Sequence, residues 1–384
     1  MPPRRLHTLS FFTTIGLMAL VVFGRIAPAT PREAEAQRWA GATRQPGGTP
    51  WAPATHALLV TPTQPLLLPA SPATPATTTP TVRPSVTATP TARPTRPTRP
   101  TATPTPDFSP LTARLKKDTA LQTALCQPDM KLVAKDGQIV VPILLYHFVG
   151  RTAMESAGRS TSRYNVTAAD FELQLAMLYR LGYQTVSMRD VGEALSGTLT
   201  LPARPVVITV DDGWVEQYTN LYPLLKKYAM TATFYIPSTY PVGGRFVTWE
   251  QVQEMVKGGM EIGSHTCSHR NLAGLWSTSA WFELNDSKKT LEEKLGVTIT
   301  TISYPYGNHT ASTLALAQEA GYLTGVTMGA IPTHSEASRY RLTRAEILGT
   351  RPLDAFLNYL PWRGQGLDVC GGPPPARPTP YGTE

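Results

Sequence analysis

The chain has 384 residues, of which 41% are hydrophobic, 37 are prolines and 3 are cysteines. This length allows one large domain or two small ones with a sizeable core, and so few cysteines exclude both a small disulfide-stapled scaffold and a four-cysteine zinc site. The net charge of +8 arises in residues 1–106, with ten arginines, no lysine and two acidic residues; the remainder, with 25 basic and 25 acidic residues, is neutral and gives no electrostatic support for nucleic-acid binding.

The N-terminus has the pattern of a secretory signal. Arg4 and Arg5 precede an apolar run at residues 9–24, which is shorter than the roughly 20 apolar residues that span a membrane comfortably. We therefore expect residues 1–36 to be a signal peptide or an N-terminal membrane anchor. The protein would then be exported, to the cell surface or the extracellular space, and would contact a membrane only through this segment.

Residues 37–106 are rich in Thr, Pro and Arg. Too few large apolar side chains remain there to offset the entropy lost when a backbone is ordered. The composition therefore predicts an unfolded linker with a polyproline II bias, acting as a spacer.

After this linker, apolar runs of strand length alternate with segments of helical periodicity. The predicted strands are Val140 to Tyr146, Tyr183 to Met188, Pro205 to Val210, Thr231 to Ile236, Met260 to Ile262 and Thr301 to Tyr304. The predicted helices are Ala168 to Leu181, Leu221 to Tyr228, Trp249 to Lys257, Ala280 to Leu295 and Ala311 to Ala320. This alternation predicts an α/β fold with a parallel sheet and helices outside, and its repetition favours a barrel whose active site lies at the C-terminal ends of the strands.

We divide this part of the chain into three regions. Residues 107–140 would be an N-terminal extension that packs on the barrel, residues 141–362 the barrel domain, and residues 363–384 an irregular tail rich in Gly and Pro. The sequence leaves open whether Cys126 and Cys370, which flank the barrel, form a disulfide.

Two predicted strands run into groups that suit metal chemistry. The strand at 205–210 is followed by Asp-Asp-Gly at 211–213, which is either a turn that caps the next helix or a pair of functional carboxylates. The strand at 260–262 is followed by His265 and His269, whose spacing can bring both imidazoles onto one ion. Two His and one Asp would leave positions open for water and substrate, as in catalytic Zn²⁺ sites, and the same set accepts Co²⁺, Ni²⁺ or Fe²⁺.

Three motifs, in this order, resemble those of the polysaccharide deacetylases, which are carbohydrate esterases with a NodB-type homology domain. They are Thr-Val-Asp-Asp-Gly at 209–213, His-Thr-Cys-Ser-His at 265–269 and Tyr-Pro-Tyr-Gly at 304–307. The resemblance extends over roughly residues 142–361 and implies a distorted (β/α)₇ barrel.

The resemblance also implies roles for individual residues. Asp212, His265 and His269 would bind one divalent metal ion, for which we expect Zn²⁺ first, and Asp211 would be the general base. The backbone N–H of Tyr306, with the ion, would stabilise the oxyanion on the N-acetyl carbonyl.

Further residues of the motifs are candidates for support and substrate contact. Thr266 would brace the loop between the two histidines. Tyr304, Pro305 and Tyr306 would contact the substrate. Trp214 is a weaker candidate, because core packing is an equal alternative to stacking on a sugar ring.

The general acid and one arginine depart from the common family pattern. A Leu-x-His motif near the C-terminus is missing, but His147 ends the first predicted strand, as in the circularly permuted branch that includes deacetylases of poly-β-1,6-N-acetylglucosamine. The resemblance therefore makes His147 the general acid, with a backbone-bonded structural histidine as the alternative. Ser303 stands where many members have an arginine that orients the catalytic aspartate. Arg344 could substitute for it, or could be an ordinary surface arginine.

These observations predict an exported, metal-dependent hydrolase that removes N-acetyl groups from an N-acetylglucosamine-containing polysaccharide. The alternatives are an O-acetyl esterase acting on xylan or a wall glycan, and a non-catalytic wall-binding protein on the same fold. The glycan, its linkage and the oligomeric state stay open. We expect the remaining histidines of the C-terminal half, His309 and His334, to be exposed loop residues.

Overall fold

The computed structural model describes residues 106–132, 134–151, 163–364 and 370. The predicted signal or anchor, nearly all of the predicted linker and most of the predicted tail lie outside these residues. Within the described ranges, every helix is too short or too polar to cross a membrane.

Helices and strands alternate along the described part of the chain. The helices are α1 (Ser109–Lys117), α2 (Thr119–Leu125), α3 (Ala168–Arg180), α4 (Met188–Leu195), α5 (Tyr222–Lys227), α6 (Trp249–Lys257), α7 (Ser277–Leu295), α8 (Ala311–Glu319) and α9 (Leu353–Phe356). The strands are β1 (Gln138–Val140), β2 (Ile143–Tyr146), β3 (Phe148–Val149), β4 (Asn165–Val166), β5 (Gln184–Thr185), β6 (Pro205–Asp211), β7 (Thr233–Ile236), β8 (Glu261–Ser264), β9 (Thr301–Ser303), β10 (Thr324–Met328), β11 (Thr333–Ser335) and β12 (Leu342–Glu346).

Seven parallel strands close into a barrel. Their order is β2, β12, β10, β9, β8, β7 and β6, and β6 returns to β2 with Leu144 opposite Ile208. Strand β5 pairs with the start of β6 and lies outside the ring. The strands are short and buried on both faces, which is why they read as apolar runs rather than as alternating patterns. The predicted seven-stranded α/β barrel is confirmed.

The barrel interior is apolar near the N-terminal ends of its strands. Ile143, Val207, Val326 and Leu342 belong to a small buried cluster, whereas Leu144 and Ile208, their neighbours along the strands, belong to the larger core that contains the helices. Successive strand residues point to opposite faces, so this division separates the interior of the barrel from its outer layer. The exceptions to this apolar interior are at the starts of β7 and β8, where Glu261 accepts from the hydroxyl of Thr233 and from the backbone N–H of Met188.

The segments before and after the barrel meet at one place on it. Helices α1 and α2 bury Leu111, Leu115, Leu121 and Leu125 in the core shared with α3 and α9. Cys126, which follows α2, forms a disulfide with Cys370.

One expectation about a histidine was wrong. His334 lies on β11, is buried, and shares a 3.0 Å hydrogen bond between its Nε2 and the carbonyl of Val141. Burial lowers its pKa to about 4. His309 is half-buried, with its Nδ1 3.1 Å from the carbonyl of Gly307.

Candidate active site

Strand β6 delivers two adjacent carboxylates to the C-terminal end of the barrel. Asp211 is its last residue, and Asp212 follows with a φ of 85° and a backbone N–H bonded to the carbonyl of Tyr235 at 3.0 Å. The indole of Trp214 donates to Asp212 Oδ2 at 3.0 Å. The triplet does form a turn, and the turn presents both carboxylates to the site rather than capping a helix.

Both histidines of the second motif face Asp212. Its Oδ1 lies 3.4 Å from Nε2 of His265 and 3.2 Å from Nε2 of His269. Burial works to raise the pKa of Asp212, but the hydrogen bonds from the two imidazoles outweigh it and hold the pKa well below its ordinary value. This carboxylate is therefore ionised at neutral pH.

These three side chains form a set that suits a metal ion. One ligand atom from each of Asp212, His265 and His269 lies within 4.8 Å of the others. Nδ1 of His265 is 2.7 Å from the carbonyl of Ser303, which can only accept, so this nitrogen carries a proton and Nε2 is the ring atom directed at Asp212. Nε2 would become a metal ligand when an ion displaces its proton. In metal-binding histidines, the ring nitrogen that does not bind the metal usually donates its N–H to a carbonyl or carboxylate. The residues present therefore fit a divalent cation with nitrogen and oxygen ligands.

Asp211 is held by an arginine from a strand on the other side of β2. Arg344 on β12 is 1% exposed and donates from Nη1 to Oδ1 of Asp211 at 2.7 Å and from Nη2 to Oδ2 at 2.8 Å. The hydroxyl of Ser303 donates to Oδ2 at 3.0 Å and accepts from Nη2 of Arg344 at 2.9 Å. Arg344 is therefore not a surface residue. Its guanidinium lies beside Asp211, which has Ser303 rather than an arginine at the position of the family pattern.

The environment of Asp211 favours its charged form. The side chain is 3% exposed, so burial works to raise its pKa, but the charges of Arg344 and His265 outweigh burial and lower the pKa below its ordinary value. Two parallel hydrogen bonds to one guanidinium also fix the plane of the carboxylate.

His147 follows β2 at the same end of the barrel. Tyr146 pairs with Val210 in the register of β2 and β6, which puts His147 beside Asp211. The amide of Gln217 donates to the backbone carbonyls of both His147 and Asp211. Nδ1 of His147 is buried and has no hydrogen-bond partner among the residues that the structure describes.

The third motif contributes one exposed side chain. Tyr306 has a φ of 63°, is 41% exposed, and packs edge-on against His269 with ring centroids 4.9 Å apart. Tyr304 is 0% exposed and Pro305 is also buried, so neither side chain is open to the surface of the site, and substrate contact by these two residues stays a prediction. These two residues support the turn that presents Tyr306.

Trp214 is likewise buried rather than available for stacking on a sugar. Its ring is stacked on Phe246 with centroids 4.6 Å apart and packs against Phe148 at 5.0 Å. Its contribution to the site is the hydrogen bond to Asp212.

Two polar residues that contact the motifs were missed in the sequence. Gln217 is fully buried and links the backbone of His147, after β2, to the backbone of Asp211 in the first motif. Glu283 on α7 accepts hydrogen bonds from the loop between the histidines. A signal for Glu283 was present, because it lies on the same face of the predicted helix as Ala280, Leu284 and Leu291, where a charged residue is unexpected.

Comparison with known proteins agrees with these motifs. Residues 198–325 match the family model described as polysaccharide deacetylase. The chain is 33% identical over 220 residues to YxkH of Bacillus subtilis (strain 168), provisionally named a polysaccharide deacetylase, with 57% of this chain and 76% of YxkH covered. It is 27% identical to the poly-β-1,6-N-acetyl-D-glucosamine N-deacetylase of Staphylococcus aureus (strain MRSA252), with 45% of this chain and 64% of that protein covered.

A solved structure shows the same fold. The Streptococcus pyogenes deacetylase PplD, in complex with acetate, superposes with a TM-score of 0.54 at 29% identity, covering 58% of this chain and 98% of that one. The chain thus spans about three quarters of YxkH and somewhat less than two thirds of the S. aureus enzyme. On the motifs, the barrel and these matches together, the chain belongs to the polysaccharide deacetylase family of hydrolases.

Proposed function

We propose that the protein is an exported, metal-dependent N-deacetylase that hydrolyses the N-acetyl groups of N-acetylglucosamine residues in a cell-surface or extracellular glycan. One observation carries this proposal: a fixed, ionised carboxylate, Asp211, lies next to a ligand set of Asp212, His265 and His269 at the C-terminal end of the barrel. The name of the S. aureus relative supports the amide substrate and the N-acetylglucosamine polymer.

Asp212, His265 and His269 would hold one divalent ion, with Zn²⁺ the first expectation and Co²⁺, Ni²⁺ or Fe²⁺ compatible with the same ligands. Such an ion lowers the pKa of water and polarises a carbonyl. Proton transfer and binding of the acetyl oxygen would be carried out by the protein's own residues.

Asp211 would accept a proton from the attacking water as general base. Arg344 and Ser303 keep its carboxylate ionised and in one orientation, so the accepting oxygen is in place before the reaction. The backbone N–H of Tyr306 would donate to the acetyl oxygen as negative charge develops there.

His147 would act as general acid. As the carbon–nitrogen bond breaks, His147 would give a proton to the leaving nitrogen, so the products are acetate and a free amine on the sugar. Its position beside Asp211 supports this role, because the imidazole then lies at the same end of the barrel as the proposed base.

The sequence and the disulfide both support export. The N-terminal pattern is that of a secretory signal or an anchor, and structural disulfides such as Cys126–Cys370 persist mainly in oxidising compartments. The predicted linker at 37–106 would hold the barrel away from the membrane or wall.

The test is acetate release by the full, zinc-loaded chain on β-1,6- and β-1,4-linked N-acetylglucosamine oligomers side by side, with Asp211→Asn as the control. We expect release that disappears in the control, and the preferred linkage identifies the polymer class. Absence of release from either oligomer, in a protein that binds zinc, would contradict the proposed substrate. Sugar binding without any turnover would favour the wall-binding protein.

The same experiment separates the amide substrate from an O-acetyl ester. An ester's leaving group needs less protonation than an amine, so His147→Ala should reduce acetate release from N-acetylated oligomers much more than from O-acetylated xylan. Equal losses on both substrates would argue against His147 as the acid, and activity confined to the ester would favour the esterase.

A further inference from the structure

Helix α7 carries a buried carboxylate that contacts the loop between the two histidines of the metal site. Glu283 is 8% exposed. Its Oε2 accepts from the backbone N–H of Cys267 at 2.9 Å and of Ser268 at 3.0 Å, and its Oε1 accepts from the hydroxyl of Ser268 at 2.6 Å. One carboxylate therefore binds two successive amides and one side chain of this loop.

The charge of Glu283 is compensated by the loop itself. In the described part of the chain, no Lys, Arg or His side chain forms an ion pair with it. A buried carboxylate without a counter-ion is costly unless hydrogen bonds compensate, and bonds to a charged acceptor are stronger than those between neutral groups. The loop donors thus stabilise Glu283, and Glu283 fixes the loop.

The loop needs such support because its backbone is strained. Thr266 has a φ of 66° and His269 a φ of 59°, in the left-handed region that β-branched and bulky residues rarely adopt. Ser287, one turn after Glu283 on the same face of α7, donates to the carbonyl of Thr266 at 2.9 Å. Helix α7 therefore holds the strained loop at three successive residues, from Thr266 to Ser268.

We propose that Glu283 is a positioning residue for the metal site: it holds the loop at 265–269 so that the Nε2 atoms of His265 and His269 converge on Oδ1 of Asp212. This inference rests on the proposed function, because it presumes that these three residues bind a metal. Without the carboxylate the loop can relax toward ordinary backbone conformations, and the two imidazoles lose their common orientation.

The experiment measures the Zn²⁺ affinity of the full chain by competition with a chromophoric chelator. Glu283→Ala should weaken zinc binding by about 10- to 100-fold, the usual effect of removing a partner behind metal ligands. Glu283→Gln should stay close to wild type, since its amide oxygen can accept from both backbone N–H groups. The matched control is Glu293→Ala, which removes an exposed carboxylate from the same helix.

A second readout separates positioning from general stability. The visible absorption spectrum of the Co²⁺-loaded protein reports ligand geometry, and we expect it to change in Glu283→Ala but not in Glu293→Ala. If Glu283→Ala does not fold, Glu283→Asp retains the charge and withdraws the carboxylate by one methylene, and should still bind zinc about tenfold more weakly. Wild-type zinc affinity and an unchanged cobalt spectrum in either variant would overturn the inference, whereas a wild-type chain that binds no zinc would defeat the proposed function itself.

Discussion

Asp211 is paired with Arg344, which lies on a different strand from the position where the family resemblance leads us to expect a cation. In the common family pattern the orienting arginine would stand at position 303, on β9. Here Ser303 is small enough to leave space for the guanidinium of Arg344, and its hydroxyl joins the two charged groups. The cation comes from β12, and the charge beside Asp211 is retained.

We expect Arg344→Ala to reduce the kcat/KM of deacetylation by about 10- to 100-fold, because Asp211 loses its fixed orientation. The same change leaves a buried carboxylate without its partner and should lower the free energy of unfolding by about 3 kcal/mol. Acetate release and urea unfolding measure the two effects.

Two further variants sharpen this prediction. Arg344→Lys keeps the charge but not the planar fork, so its activity should fall between those of wild type and Arg344→Ala. Arg341→Ala removes an exposed arginine near the start of β12 and should change neither quantity. Unchanged turnover and an unchanged pH profile in Arg344→Ala would show that the ion pair has no part in orienting the base.

The residues that the sequence revealed are those whose spacing is itself the signal. Asp212, His265 and His269 lie in short motifs at strand ends. Because the C-terminal ends of parallel barrel strands lie together, a barrel brings these side chains close to one another. Glu283 and Gln217 act on backbone groups that no sequence pattern marks; Glu283 lies within a predicted helix, and Gln217 lies four residues before another. Their partners become visible only once the loops have three-dimensional positions.

At the scale of elements, the sequence predicted most barrel strands but missed β10 and β12. Both contain polar residues and glycine, such as Thr324, Gly325 and Thr327 in β10 and Thr343 and Arg344 in β12, so neither presents the continuous apolar run of a buried parallel strand. Arg344, which contacts Asp211, is thus one of the residues that obscured its own strand. The helix at 249–257, which begins with Thr248 and Gln251 as a capping box, was predicted at its observed bounds.

The small sheet of β1 and β11 contains a group that links stability to pH. His334 on β11 has a pKa of about 4 in the folded protein, against an ordinary value of 6.5. The unfolded chain therefore binds the proton first as the pH falls. The associated stability is fully present above pH 6.5 and is lost as the pH falls toward 4.

We expect the free energy of unfolding of the wild type to decrease by about 2 kcal/mol more than that of His334→Gln between pH 7.5 and pH 5. Urea unfolding of both proteins at the two pH values measures this difference, and groups common to both cancel in the comparison. Parallel pH dependences would show that His334 titrates normally in the fold.

At the scale of the whole molecule, the candidate site and the contacts between the two terminal segments lie at opposite ends of the barrel. The site lies where β6, β8 and β9 end, whereas the N-terminal extension and the residues after α9 meet near the starts of β5 and β6. Asp129 there lies 3.5 Å from Arg204 and accepts from the backbone N–H of Arg363 at 2.7 Å. The hydroxyl of Tyr183 contacts the backbone of Trp362 in the same region. The Cys126–Cys370 disulfide thus joins the two segments at the end of the barrel opposite Asp211 and the candidate metal ligands.

This separation predicts that the disulfide contributes to stability and not to catalysis. The bridge joins residues 244 positions apart, so its removal frees a long loop in the unfolded chain. We expect a double variant, Cys126→Ser with Cys370→Ser, to lose about 2–5 kcal/mol of unfolding free energy while the folded protein keeps its kcat for acetate release. A reductant should reproduce the loss in wild type and have no effect on the variant. A folded variant with reduced kcat would show instead that the N-terminal extension and the tail reach the site through the barrel.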